Sequence, residues 1–322
     1  MKYNSIITAT GHYLPEKIVD NLTLSKTVDT SDDWITERTG IKQRHIASDT
    51  ELTSDLAFKA CQNLFKNSSI TPQDIELIIV ATTTPDLTFP STACILQGKL
   101  QANKAFAFDI QAVCSGFIYA LSIANSYINT GMVKNALVVG SETLSRIVNW
   151  NDRNTCVLFG DGAGAVLLQA TENLNQGIIS QSISSNGDLV PILKTNSGAS
   201  FNQRSGFIEM QGKEVFKHAV EKMSNSVFLA LAKVNLKEDD INLLVPHQAN
   251  LRILDAVATK LKLTPDKVIT TVQNHANTSA ASIPLALDYA YKNNKIKPND
   301  IVVLEALGGG LTWGSIILRW QS

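Results

Sequence analysis

The chain has 322 residues, 44% hydrophobic and 18% charged, a balance that suits a globular protein with a sizeable core. Its 28 basic and 29 acidic residues leave a net charge of -1, so no global field draws it to nucleic acid or a membrane. No run approaches the ~18 apolar residues of a bilayer span, and "MKYNSIITATGHYLPEK" lacks the apolar core of a signal peptide, so the expected location is the cytoplasm.

In chain order, apolar runs and helical periodicity alternate. Residues 5–10 form the first strand-like run, and Thr30 or Ser31 then opens a capped helix that puts Trp34 and Arg38 on one face. A helix is expected over 52–64, strands over 75–82 and 105–110, and a helix over 116–129. Strands at 136–139 and 165–168 follow. Residues 180–206, rich in Ser, Asn and Gly, predict an irregular excursion. Helices over 213–234, 251–261 and 279–291 then interleave with strands over 241–245, 268–272 and 301–304. This alternation predicts α/β architecture with largely parallel sheets, and the near-continuous apolar strands imply cover on both faces.

The two halves also repeat. "DIELIIV" from Asp74 resembles "DINLLV" from Asp240, and "ALSIA" from Ala120 resembles "ALDYA" from Ala286, each pair 166 residues apart. "NALVVG" from Asn135 resembles "NDIVVL" from Asn299, 164 apart, while "GAGAVLL" from Gly162 and "TWGSIIL" from Thr312 play similar strand roles. Order and near-constant offset argue for a duplicated fold, divided at 1–172 and 173–322. The offset aligns Cys114 with Ala280, ahead of equivalent helices. Loops leading from strands into helices lie at the strands' C-terminal ends, where α/β sheets place ligands. One face thereby collects Cys114, His247, His275 and Asn277.

Four cysteines, at 61, 94, 114 and 156, form no CxxC pair and have no metal-ligand spacing with His, so neither a disulfide nor a metal site is expected. Cys114 begins the helix of "AVCSGFIYAL", where the positive end of the macrodipole favours a thiolate. A nucleophile and a small buried hydrophobe both fit. His247, after the apolar run "INLLV", suits a ligand-facing or a structural imidazole. Asn277 could cap the helix, or leave that to Thr278 or Ser279 and aim its amide at a ligand. "GGGLTWG" from Gly308 offers backbone amides to an oxyanion, or a tight turn between strands. The G-x-G-x-x-A match at Gly160, Gly162 and Ala165 opens no amphipathic helix, which excludes a dinucleotide site.

Taken together, "TSDDWITERTGIKQRHIA", "AVCSGFIYAL", "LFGDGAGAVLL", "VPHQANLRI", "HANTSAASIP" and "GGGLTWGS" resemble the β-ketoacyl-acyl carrier protein synthase III family, nearly end to end. These are the initiating condensing enzymes of type II fatty-acid synthesis. The resemblance implies a thiolase fold: two duplicated halves with mostly five-stranded mixed sheets, layered α-β-α-β-α, in a homodimer. It implies Cys114, His247 and Asn277 as the catalytic triad, with the Cys114 amide and Gly309 as oxyanion hole. Thr30, Trp34, Arg38, Arg153, Gly212, Phe216 and Asn250 would bind CoA. Lys217, Gln248, Arg252 and Lys260 would meet the carrier protein, and Phe89 and Leu307 would shape the acyl pocket. Acyl-CoA enters as a substrate, with no permanently bound cofactor and no metal.

Three positions depart from the family pattern. Leu307 stands where a phenylalanine commonly precedes the glycines, Ala276 where a glycine commonly precedes the Asn, and Thr259 at one position of a frequent Lys-Lys pair. A somewhat weaker carrier-protein patch is expected. A biosynthetic thiolase would need a second cysteine near the C-terminus, yet the last here is Cys156. Elongating ketosynthases use Cys-His-His. Polyketide or alkylquinolone synthases share the Cys-His-Asn set, and a Cys-His thioester hydrolase would need no CoA tunnel.

Overall fold

The computed structural model describes residues 2–321. In the first half, strands β1 (Asn4–Tyr13), β4 (Leu77–Ala81), β5 (Phe106–Ile110), β6 (Asn135–Glu142) and β7 (Gly162–Thr171) make a sheet of order β1-β7-β6-β4-β5. A small separate pair, β2 (Lys17–Asp20) and β3 (Gln43–Ile46), crosses beside it. β4 runs parallel to β5 and β6, whereas β7 is antiparallel to β6 and β1. The helices of this half are α1 (Asn21–Leu24), α2 (Asp32–Thr39), α3 (Thr53–Phe65), α4 (Thr92–Leu100), α5 (Gly116–Asn129) and α6 (Arg153–Cys156).

The second half repeats the plan. Strands β8 (Gly177–Ser185), β11 (Leu243–Pro246), β12 (Ile301–Gly308) and β13 (Thr312–Arg319) form a sheet of order β11-β12-β13-β8. β9 (Leu193–Thr195) and β10 (Ile208–Met210) pair separately. The helices are α7 (Ala199–Asn202), α8 (Gly212–Ala232), α9 (Leu251–Lys260), α10 (Val272–His275) and α11 (Ser282–Lys292). The registers match at a constant offset: Leu77 faces Ala136 and Val80 faces Val139, as Leu243 faces Val302 and Pro246 faces Glu305. β6 and β12 thus begin 166 residues apart, which corrects the 164 suggested by their sequences.

The layering follows from burial. All five residues of β4, LIIVA, are buried, so the strand needs cover on both faces. Ile78 and Val80 pack among Leu56, Ala60 and Leu96 of α3 and α4. Leu77 and Ile79 share a core with Phe117 and Leu121 of α5, Leu287 of α11, and Val302 and Leu304 of the other sheet. Val227 of α8 and Val257 of α9 cover the far side, against Val303 and Ile317. The order is α-β-α-β-α, as expected. Each fully buried aliphatic side chain contributes about 1.5–3 kcal/mol. α5 and α11 are therefore central, and the turns that start them meet at mid-molecule.

The sheets expected to be largely parallel are mixed: β4–β5, β4–β6 and β11–β12 pair parallel, while β1–β7, β6–β7, β12–β13 and β13–β8 pair antiparallel, and the second sheet has four strands where five were expected. Two further expectations change. Residues 180–185, read as irregular, belong to β8, whose "SQSISS" segment lacks apolar alternation but is held by eight-residue pairing with β13. The strand expected over 268–272 shrinks to a bridge between Leu244 and Val268. The Gln248 Oε1 accepts the amides of Thr271 (2.7 Å) and Val272 (3.1 Å), which turns the chain into α10. At the glycine-rich segment, residues from Gly162 enter β7 and not a helix, as the sequence indicates.

Candidate active site

Cys114 lies in a 3-10 turn, Val113–Ser115, between β5 and α5. Val113 adopts φ 49, and Ser279, 166 residues on, adopts the same φ 49 in the turn before α11. Two backbone turns of one shape thus face each other. Gly308 makes this closeness possible: a Cβ there would sit 2.7 Å from both the Ala112 oxygen and the Cys114 nitrogen. Ser115 Oγ, bonded to the Ala112 carbonyl at 2.8 Å and Thr312 Oγ1 at 2.8 Å, pins the turn to β13.

His247 follows β11 directly, and its amide donates to the Glu305 carbonyl at 2.8 Å. Its Nδ1 meets Ser282 Oγ at 2.7 Å. Asn277 is clamped by backbone to the segment after α6: its amide donates to the Leu158 carbonyl (2.9 Å), and its carbonyl accepts from the Gly160 amide (3.0 Å). "LFGDG" is therefore a seat for Asn277. The Asn277 Oδ1 accepts the Ser279 amide at 2.9 Å, a local turn bond. Of the two alternatives open for Asn277, its oxygen takes the local, turn-closing one. That bond also assigns the amide, leaving Nδ2 as the free donor.

Burial dominates the electrostatics. It pushes the Cys114 thiol up to about 12; a Ser279 hydroxyl contact draws it down, and the nearby Glu142 carboxylate raises it further. A rise from the ordinary 9.0 disfavours the thiolate by roughly 4 kcal/mol. A helix terminus returns at most about 2 kcal/mol even when partly buried. Cys114 therefore rests as a neutral thiol, against the thiolate expected from its helix position. Burial holds His247 down at about 3, so its imidazole is neutral. Glu142 is pushed up to about 7 by burial, opposed by bonds from Thr84, Thr83, Ser279 and Thr82.

Cys114, His247 and Asn277 line one cavity of about 840 Å³ with Ala112, Gly309, Leu307 and Ser279. Of the other expected residues, Arg38, Gly212, Phe216, Asn250 and Arg252 line it too. Asn250 caps α9 through Oδ1, which accepts the Ile253 amide at 3.0 Å. Trp34 is not a lining residue: it lies just outside, with the guanidinium carbons of Arg38 and Arg153 at 4.8 and 5.2 Å from its ring. Thr30, Lys217 and Lys260 are also outside the lining, the two lysines exposed. Phe89 is 83% exposed, and His275 does not reach the cavity.

Gln248 is a correction. It is 1% exposed, and its Nε2 donates to the carbonyls of Pro246 (2.8 Å) and Ile269 (3.1 Å) while Oε1 takes two amides. With every polar atom engaged internally, it shapes the loop and has no surface to offer a carrier protein. Sequence reasoning missed Ser282, Glu142 and the cavity cations Lys194 and Lys213, and gave Ser279 only a capping role. Ser282 and Glu142 carry no local signal, since their partners lie 35 and about 60 residues away.

A mixed-sheet duplication with a buried Cys, His and Asn around one cavity is the thiolase-fold architecture. Family models described as 3-oxoacyl-[acyl-carrier-protein (ACP)] synthase III and its C-terminal part match residues 108–187 and 231–320. A Wolbachia pipientis wMel protein named beta-ketoacyl-[acyl-carrier-protein] synthase III is 56% identical over 317 residues, covering 98% of this chain and 99% of its own. The Ehrlichia canis (strain Jake) protein of the same name is 53% identical over 315 residues, again covering 98% and 99%. The crystal structure of 3-oxoacyl-[acyl-carrier-protein] synthase III from Aquifex aeolicus VF5 superposes with TM-score 0.94 at 46% identity, over 98% of this chain and 100% of that one. The chain belongs to the 3-oxoacyl-[acyl-carrier-protein] synthase III family.

Proposed function

We propose that Cys114 is acylated by an acyl-CoA and that His247 and Asn277 promote its condensation with malonyl-acyl carrier protein. The protein is a condensing acyltransferase of fatty-acid synthesis that performs the initiating step. In this reading residues 1–172 carry the nucleophile, and 173–322 carry the two donors. The observation that carries it is the convergence of the three side chains: Cys114, His247 and Asn277 line one cavity, and Asn277 Oδ1 is occupied by the Ser279 amide, which leaves its Nδ2 as the donor there.

The Cys114 sulfur adds to the acyl thioester, and backbone amides of Cys114 and Gly309 receive the oxyanion. Collapse expels CoA, which leaves with the thiol proton. Malonyl-carrier protein enters next, and loss of CO2 places enolate charge on its thioester oxygen. The His247 Nε2–H and the Asn277 amide stabilise that charge. The enolate carbon attacks the acyl-enzyme, the C–S bond breaks, and the Cys114 sulfur takes up a proton from solvent as 3-ketoacyl-carrier protein departs.

The remaining site residues are read in the same way. Arg38, Gly212, Phe216 and Asn250 line the cavity and suit CoA; Trp34, stacked between Arg38 and Arg153, would join them outside the lining, as would Thr30. Arg252, Lys217 and Lys260 are exposed and suit an acidic carrier protein. Phe89, 83% exposed, suits burial in a homodimer, where it would close the partner's acyl pocket beside Leu307. No cofactor is bound permanently, and the protein works in the cytoplasm; no helix among the described residues is long and apolar enough to cross a membrane.

The test is to incubate the protein with a series of acyl-CoAs and malonyl-carrier protein, following ketoacyl product and the mass of the Cys114 peptide. An acyl adduct and product are expected, both lost in Cys114→Ala by at least about 10³-fold. Condensation surviving that substitution would end the reading.

A further inference from the structure

The imidazole of His247 can serve as a donor only if its hydrogen sits on Nε2, and nothing in the backbone dictates that. Its two ring nitrogens have different surroundings. Nε2 makes no hydrogen bond among the described residues, and His247 lines the cavity. Nδ1 points away from the reacting groups, to Ser282 Oγ at 2.7 Å. Ser282 begins α11 and is 1% exposed.

The serine oxygen already accepts a hydrogen bond from the Gln248 amide at 3.3 Å. Its only other hydrogen-bonding neighbour among the described residues is Nδ1. If Nδ1 carried the imidazole hydrogen, the serine oxygen would accept twice and its own proton would be buried without an acceptor. If the hydroxyl donates to Nδ1, every group is satisfied and the ring hydrogen lies on Nε2. We propose that Ser282 is the positioning residue that fixes His247 as the Nε2–H tautomer, presenting a hydrogen-bond donor to the substrate thioester oxygen.

The duplication supports this pairing independently. Subtracting the offset of 166, His247 corresponds to Ala81 and Ser282 to Gly116. That pair is in close contact in the first half too: a Cβ on Gly116 would lie 3.2 Å from the Ala81 Cβ. The same two backbone sites are therefore neighbours in both halves. They are filled by two small apolar residues behind the nucleophile, and by a hydrogen-bonded His and Ser behind the donors. One exchange without the other would leave a buried imidazole nitrogen, or a buried hydroxyl, facing carbon.

This inference rests on the donor role given to His247 above, and its test separates the two. In the full-length protein labelled with 15N-histidine, Nδ1 of His247 should show the shift of an unprotonated, pyridine-like nitrogen and Nε2 that of a protonated, pyrrole-like one. His247→Asn assigns the signals. The reverse pattern overturns the proposal whatever the enzyme's activity. Ser282→Ala should mix the tautomers and slow CO2 release from malonyl-carrier protein by about 10²-fold, while acylation of Cys114 by acyl-CoA stays within about twofold. Ser282→Thr, which keeps the hydroxyl, should restore most of the loss. A Ser282→Ala protein that decarboxylates at the wild-type rate, or slows both half-reactions equally, overturns the proposal. If that variant does not fold, the wild-type spectrum alone decides. Failure of wild-type acylation would remove the functional reading and leave the tautomer measurement standing.

Discussion

The two halves share a backbone plan and diverge in chemistry at the same few positions. β4 leads to Ala81 and β11 to His247; the turn before α5 holds Cys114 and the turn before α11 holds Ala280, each after a residue at φ 49. Val139 in β6 corresponds to Glu305 in β12, and Gly140 to Ala306. In the proposed function the first half would supply a nucleophile among small residues, and the second hydrogen-bond donors. The lesson is that duplication provides two facing turns, and division of labour needs only side-chain changes at positions the fold already brings together. Conformational strain is shared, and reactivity is not.

That contrast can be broken most severely at the donors. His247→Ala and Asn277→Ala should each lower condensation by about 10²–10³-fold, as loss of one oxyanion donor does, while the mass of acylated Cys114 persists. Equal loss of acylation would show that the halves do not divide the chemistry. At the seam, Gly140→Ala drives a methyl into the carbonyl of Ala280, the residue equivalent to Cys114. Overpacking of this kind costs about 1–3 kcal/mol or more, so calorimetry should report a lowered Tm together with reduced activity. An unchanged Tm would mean the two turns are less tightly opposed than the structure has them.

A smaller effect is expected at Glu305. Its carboxyl oxygens have no hydrogen-bond partner among the described residues, and burial pushes it up to about 8. The unfolded chain releases this proton near the ordinary 4.5, so the folded state holds it more tightly. The stabilisation tied to that proton is complete below about 4.5, declines as pH rises, and is gone above about 8. Glu305→Gln should flatten the decline in denaturant unfolding between those limits; a slope equal to wild type would refute the assignment. The mildest effect concerns Glu142, whose charge raises the Cys114 thiol. Above pH 7, where Glu142 ionises, Glu142→Gln should speed alkylation of Cys114 by iodoacetamide a few-fold. Slower alkylation would instead make Glu142 an acceptor of the thiol proton.

Much of this was legible in order and spacing. Continuous apolar strands report a sheet covered on both faces, because each strand's burial is written in its own residues, as in β4. The motifs around Cys114, His247 and Asn277 are local, and strand-to-helix order is enough to put them on one side of the sheets. β8 was hidden because its cohesion comes from pairing with β13, which a serine-rich segment does not advertise. Gln248 looked like surface until the loop folded over it.

The sequence by itself therefore determined the duplicated α/β plan and pointed to the candidate reactive groups, since both rest on patterns within single elements. Only the tertiary structure decided their states. Burial makes the Cys114 thiol neutral against the pull of its helix, the Ser279 amide orients Asn277, and Ser282 meets the imidazole of His247. These outcomes depend on how much water is excluded and on partners from distant segments. Desolvation and hydrogen-bond complementarity exist only once the two halves have closed on each other.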